Sequence, residues 1–384
     1  MTRDLVIPAE LLPADGRFGA GPSKVPAEAL AALAASGPRL LGTSHRQEPV
    51  KALVGGVQEK LAQLYALPEG YRVVLGLGGA SAFWDVATFS LVRERSAHGV
   101  FGEFGGKFAA ASAAAPWLAE PFVGRGEPGT VAWPDHDERY DPDLVDVFAY
   151  PHNETSTGVM VPQVLRGPEH ALTVVDGTSA AGGLWVDPAD VDVYYFSPQK
   201  GLASDGGLWF ALMSPAALAR VEEIAASGRF IPAFLDLSVA VENSAKRQTL
   251  NTPAIATLFL VDAQLDRMLA QGGLAGMVSR TNRNAAAIYD WAEEREWATP
   301  FVANPALRSA VVATVDLATE GDLAVDAGRV SAVLRANGVV DVDPYRKLGR
   351  NQLRVACFPA VETDDLRALT RSVDWVVEQL RSGA

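Results

Sequence analysis

The chain has a single cysteine, Cys357, among its 384 residues. An intramolecular disulfide is therefore excluded, and so is a multi-thiolate zinc or iron–sulfur centre. Histidine is scarce as well. His45, His98, His136, His152 and His170 show no HExxH-type spacing, so no metal centre is expected. No apolar run approaches the roughly 20 residues of a membrane-spanning helix, and the opening MTRDLVIPAELLPADGRFGAG lacks the apolar core of a signal peptide; the expectation is a cytoplasmic protein. Basic residues are outnumbered, 33 Lys+Arg against 46 Asp+Glu, for a formal charge of −13. Nucleic acid and membrane surfaces, which need a basic footprint, are not expected partners. A locally basic pocket for a small anion stays compatible with that balance.

Hydrophobic residues make up 48% and charged residues 21%, a globular composition, and the length predicts a large domain with a smaller one. PAEALAALAAS (26–36) reads as a helix with proline in its first turn. Strand YRVVLG leads through a glycine-rich turn into helix SAFWDVATFSLV, and strand HGVFG precedes helix KFAAASAAA. VDVFAY (145–150), LTVVD (172–176), VDVYYFS (191–197) and GLWFALM (207–213) read as further strands. Near-continuous apolar strands alternating with helices predict an α/β class, with a mainly parallel sheet covered on both faces. The acidic, turn-rich segment 127–143 reads as a solvated connector. Beyond about residue 265 long helices give way to strands SAVVATVDL and NQLRVACF and a last helix. The expected division is a large α/β domain with an N-terminal arm over 1–265 and a small α+β domain over 266–384.

In such sheets ligands gather at the carboxyl ends of the strands. The first strand ends in GLGGAS (76–81), a glycine-rich turn feeding a helix N-terminus and so a possible phosphate cradle, although such turns often serve packing alone. Strand 145–150 ends in PHNETSTG, with Asn153 and Thr155; strand 172–176 ends in Asp176; strand 191–197 ends in SPQKG, with Lys200 just past its tip. Asp176 and Lys200 could form a buried ion pair, a costly arrangement. Pyridoxal phosphate (PLP) explains more, since it needs a lysine for a Schiff base, a carboxylate for the pyridine nitrogen, an aromatic ring to stack on and a phosphate cradle. Lys200, Asp176, Phe104 in the loop after strand 98–102, and the turn 78–81 meet those needs in order, with 24 residues from Asp176 to Lys200.

Seven stretches carry a family resemblance: GAGPSKVP (19–26), TSHRQEP (43–49), PHNETSTG (151–158), VVDGTSA (174–180), SPQKG (197–201), QTLNTP (248–253) and LRVACF (353–358). With them the chain resembles the phosphoserine aminotransferases, class V PLP enzymes of fold type I, over nearly its whole length. The resemblance implies a seven-stranded, mainly parallel sheet in the large domain. It implies that Lys200 carries the cofactor, that Asp176 pairs with the pyridine N–H and Thr155 with the ring hydroxyl, and that Phe104 stacks on the ring. Ala80, Ser81 and Gln199 would hold the phosphate, with Asn251 and Thr252 reaching across from the second subunit of a homodimer. His45 and Arg46 would bind the substrate anion and Arg354 its α-carboxylate. The implied reaction is reversible, ping-pong amino transfer between L-glutamate and 3-phosphohydroxypyruvate, giving O-phospho-L-serine and 2-oxoglutarate, with a phosphorylated threonine analogue of vitamin B6 synthesis as a further substrate.

Two positions depart from the family pattern. Phe104 stands where better-known members carry Trp, and Ala80 where they carry an arginine that binds the substrate phosphate; Lys246 or Arg247 is the expected replacement for that charge. The missing arginine is the ground for a rival expectation, a class V aminotransferase for unphosphorylated substrates of the alanine–glyoxylate or serine–pyruvate type. A non-catalytic PLP-binding module is a third, opposed by the presence of Lys200, Asp176 and Arg354. Cys357, beside Phe358 in a strand, reads as a small buried hydrophobe rather than a reactive thiol. His152 and His170 receive no role, and Trp84, Trp117, Trp133 and Trp185 read as core or interface packing.

Overall fold

The computed structural model describes residues 5–382; the first four residues of the arm and the last two of the chain lie outside the described residues. Strands β1 (Arg72–Leu77), β2 (Ser96–Val100), β3 (Phe122–Arg125) and β4 (Val147–Pro151) are followed by a small hairpin of β5 (Asn153–Glu154) and β6 (Val159–Met160), then by β7 (Leu172–Asp176), β8 (Val193–Phe196) and β9 (Leu208–Met213). Seven of them form one sheet in the order β1-β9-β8-β7-β4-β2-β3. Strand β9 runs antiparallel to both its neighbours, and every other pair is parallel. Six strands therefore end at the same edge, and GLWFALM is the one that runs against them.

Helices α1 (Ala27–Leu40), α2 (Glu48–Leu64), α3 (Gly79–Ser90), α4 (Glu103–Ala113), α5 (Pro215–Ala226), α6 (Leu237–Ala245), α7 (Ile255–Ala270) and α8 (Gly273–Glu293) accompany the sheet. Period-two alternation sends successive side chains to opposite faces. Tyr194, Phe196, Phe210 and Leu212 join Val57 and Leu61 of α2 and Leu258 and Val261 of α7 in one core. Val193, Tyr195, Trp209 and Ala211 join Phe83 of α3, Phe108 of α4 and Val221 of α5 in another. Burial of each such side chain contributes roughly 1.5–3 kcal/mol, against a strand-propensity span of about 1 kcal/mol, so the two-sided covering decides the sheet. That is why nearly continuous apolar runs are strands here.

The second sheet holds β10 (Ala298–Pro300), β11 (Val312–Leu317) and β12 (Gln352–Ala356), all antiparallel, with α9 (Ala327–Ala336) and α10 (Thr363–Arg381) beside it. Its core takes Val330 and Val373 from those helices and Ile288 from α8, and also Ile7 and Phe18 of the arm. Phe18 N–H donates to Val340 O at 3.2 Å and Phe18 O accepts from Ala356 N at 3.0 Å. The arm is thus laced into the C-terminal sheet.

Three local expectations are corrected. Helix α4 starts at Glu103 rather than Lys107, so Phe104 sits in its first turn and not in a loop. Helix α1 runs through Pro38 to Leu40. Segment 127–143 is not wholly solvated: Ala132 is buried, and Trp133 meets Tyr150 edge-on at 5.0 Å and Phe101 at 5.4 Å, because its few apolar side chains cover the rings of β4. Trp84 is buried, whereas Trp117 and Trp185 are exposed. Cys357 is fully buried, and burial pushes its thiol up to about 12, which leaves it unreactive. Among the described residues no helix is long and apolar enough to cross a membrane.

Candidate active site

A cavity of about 370 Å³ opens at the carboxyl edge of the large sheet, between that edge and the second sheet. Asp176 is the last residue of β7, and the parallel register sets it beside Tyr195 of β8. Its carboxylate is buried; Oδ1 accepts from Thr178 N at 2.8 Å and Oδ2 from Tyr195 OH at 3.0 Å. Lys200 lies just beyond β8 and is 6% exposed. Its Nζ donates to Thr155 Oγ1 at 2.7 Å rather than to Asp176, so the two buried charges are not spent on each other. The same Nζ is 5.2 Å from the centre of the Phe104 ring.

Burial pulls the Lys200 amine down to about 8, opposed by the charges of Asp176 and Glu154 and assisted by Arg354. Desolvation disfavours the ammonium form, so the neutral amine gains population as pH rises through about 8, where surface lysines stay protonated. Reaction of the unloaded protein with a small aldehyde at this position is therefore expected to accelerate between pH 7 and 9 and then level off. Lysine-resolved mass spectrometry after reductive trapping checks it; labelling of Lys200 that keeps rising in parallel with surface lysines would refute the lowered value.

The turn from β1 into α3 needs left-handed backbone at Gly78 (φ 97°) and Gly79 (φ 70°), which a side chain would strain. It aims the first turn of α3, carrying Ala80 and Ser81, at the cavity, and no side chain caps that helix end. Its free N–H groups could hold an anion. Across the cavity, Arg354 of β12 donates from Nη1 to Thr155 O at 3.3 Å and lies 5.4 Å from the centre of the Tyr345 ring. Burial lowers its basicity, but a guanidinium keeps its charge.

Several buried polar atoms of the lining have no partner within the described residues: Trp84 Nε1, Asn153 Oδ1, Thr178 Oγ1, Gln199 Oε1 and Arg354 Nε. Protein interiors rarely leave such atoms unpaired. A bound group with an anionic end, a ring and several hydrogen-bonding positions fits this lining, which also offers an uncapped helix end, a buried carboxylate and a primary amine.

The structure gathers Ala80, Ser81, Phe104, Thr155, Asp176, Gln199, Lys200 and Arg354 around this one cavity. The remaining expected residues stand outside it. His45 Nδ1 and Thr252 Oγ1 are 3.1 Å apart, Arg46 donates to Gln248 at 2.9 Å, and Asn251 is exposed beside them. Lys246 pairs with Glu242 at 2.5 Å and Arg247 with Glu59 at 3.2 Å. Tyr345, a wall of the cavity 5.9 Å from the Phe104 ring, escaped the sequence reading because DVDPYRKLGRN has only the texture of a loop. Tyr195 was open to detection: aligning LTVVD with VDVYYF as parallel neighbours brings it beside Asp176.

Residues 125–339 match the family model for class-V aminotransferases. A phosphoserine aminotransferase of Nocardioides sp. is 59% identical over 383 residues, covering 99% of this chain and all of the relative. Among solved structures, a phosphoserine aminotransferase from Cytophaga hutchinsonii superposes with a TM-score of 0.82 at 21% identity, over 94% of this chain and 99% of that one. A PLP-bound phosphoserine aminotransferase from Trichomonas vaginalis gives 0.82 at 20% identity with the same coverage.

Proposed function

We propose that this chain, which belongs to the class-V aminotransferase family, is a cytoplasmic PLP enzyme that reversibly transfers an amino group between L-glutamate and 3-phosphohydroxypyruvate. The observation that carries the reading is the convergence of Lys200, Asp176, Phe104 and the uncapped end of α3 on one cavity opposite Arg354. PLP, when bound, supplies an electron sink that makes the Cα–H bond of an amino acid acidic. The phosphate would rest on the α3 N-terminus with Ala80, Ser81 and Gln199. Phe104 would cover the ring face, Thr155 would meet the ring hydroxyl, and the Asp176 carboxylate would hold a positive ring N–H. Arg354 would grip the substrate α-carboxylate and so fix which bond at Cα faces the lysine. Lys200 Nζ, lowered to about 8 by burial, would in its neutral form take the Cα proton and deliver it on the same side of the site. Phe104 lies 5.2 Å from that amine, and Trp84 and Tyr345 line the same cavity.

His45, Arg46, Asn251 and Thr252 cluster on the outer surface, 2.9–3.1 Å contacts joining segments 45–46 and 248–252. We assign this cluster to the neighbouring site of a homodimer, with Lys246 and Arg247 able to act only there as well. One observation favours the unphosphorylated-substrate alternative: Lys200 and Arg354 are the only basic side chains lining the cavity among the described residues, with Ala80 where the family arginine would stand.

An absorbance experiment decides between them. Glutamate should discharge the spectrum of the PLP-loaded enzyme, and 3-phosphohydroxypyruvate should restore it far faster than glyoxylate. Arg354→Ala should raise the KM for glutamate by about 10²-fold, the loss of a buried charge-assisted pair. Faster recovery with glyoxylate sinks the phosphoserine reading; no response to glutamate sinks the enzyme.

A further inference from the structure

Helix α4 begins without a cap of its own. Its N-cap is Gly102, which has no side chain to offer, so the N–H groups of its first turn need acceptors from elsewhere. One turn of chain, 154–156, supplies them. Ser156 Oγ accepts from Glu103 N at 3.1 Å. Glu154 Oε2 accepts from Phe104 N at 3.0 Å and Gly105 N at 3.1 Å, while Oε1 accepts from Ser156 N at 3.1 Å and Ser156 Oγ at 2.6 Å. Glu154 is fully buried. Both its oxygens are used only as acceptors, the pattern of a carboxylate; burial raises its pKa, and the hydrogen bonds from Ser156 and Gly105 oppose that rise. The close approach depends on Gly102, since a Cβ there would lie 2.5 Å from Ser156 Oγ and 2.7 Å from Glu154 Cγ. Thr155, the middle residue of the turn, accepts from Lys200 Nζ at 2.7 Å.

A local Ser or Asp at the N-cap would satisfy a helix end without burying a charge. What the remote carboxylate adds is a fixed relation: the outer residues of the turn hold the helix that carries Phe104, and the middle one holds the amine that faces that ring. We propose that Glu154 is a positioning residue that sets the Phe104 ring against the cofactor. The proposal rests on the function given above, in which Phe104 stacks on PLP.

A double-mutant cycle tests it. Apoprotein of wild type, Glu154→Gln, Phe104→Ala and the double variant is titrated with PLP, and the visible circular dichroism of the bound cofactor is recorded with thermal melts of each protein. Gln matches Glu in size, but its NH₂ must face an N–H or O–H donor. Glu154→Gln should weaken PLP binding about tenfold and diminish the visible dichroism. The double variant should bind within about twofold of Phe104→Ala alone, because the carboxylate acts through that ring. Multiplied losses, or wild-type affinity in Glu154→Gln, overturn the proposal. If Glu154→Gln does not fold, Ser156→Ala enters the same cycle with the same two outcomes. A wild-type protein that takes up no PLP overturns the function itself and this role with it, whereas uptake with multiplied losses overturns only the role of Glu154.

Discussion

Replacing Lys200 with alanine is expected to abolish amino transfer, lowering kcat with glutamate by at least about 10⁴-fold. The side chain occupies the one place in the cavity where a primary amine is buried, held by a single hydrogen bond to Thr155 and lowered toward neutrality by burial. No neighbour can take over. Arg354, the other cation of the lining, cannot give up its proton at working pH. Lys107 is exposed and salt-bridged to Glu103. Lys200→Arg should be as inactive as alanine for the same reason, although charge is retained. PLP should still bind to Lys200→Ala through Asp176, Phe104 and the α3 N-terminus, as measured by dialysis, so inactivity would report lost chemistry and not an empty site. A Lys200→Ala enzyme within about tenfold of wild type would refute the assignment.

Asp176→Asn carries the second largest expected loss, about 10³-fold in kcat, with KM for glutamate changed little because Arg354 is untouched. The substitution preserves shape and removes the charge. Two donors already face this side chain, Thr178 N and Tyr195 OH. The amide oxygen can keep only one of these contacts; its NH₂ then faces either Thr178 N–H, with which it cannot pair, or Tyr195 OH, which must turn from donor to acceptor. A neutral amide cannot hold a positive ring N–H, so the electron sink would weaken in proportion. Asp176→Glu keeps the charge but pushes it about one methylene further into the cavity, and should retain more activity than Asn. If Asn outperforms Glu, charge is not the contribution of this residue.

Much of the site was legible because parallel α/β sheets put chemistry at strand tips. Asp176 ends an apolar strand, Thr155 follows another and Lys200 a third, so one-dimensional order maps directly onto one edge. Arg354 entered through the family resemblance, its place in the LRVACF stretch; its own strand pattern assigns it no role. The count of seven strands came from the family resemblance, whereas a mainly parallel sheet covered on both faces followed from apolar runs spaced by helices. The antiparallel course of β9 did not, since strand direction depends on connection and not on composition. The helix start at Glu103 was also hidden: FGEFGGKF carries glycines that discourage a helix, and its caps are 50 residues away in sequence.

Residue types and their order therefore determined the α/β class, the large sheet and the candidates Lys200, Asp176 and Thr155, because local periodicity and strand ends are properties of short stretches of chain. Tertiary structure alone decided that Tyr345 walls the cavity, that Ile7 and Phe18 enter the C-terminal core, that Arg247 pairs with Glu59 outside the cavity, and that Glu154 holds the helix turn carrying Phe104. Each of those depends on contacts between segments tens to hundreds of residues apart, whose geometry is set by how the two sheets and their helices pack, and no local pattern encodes it.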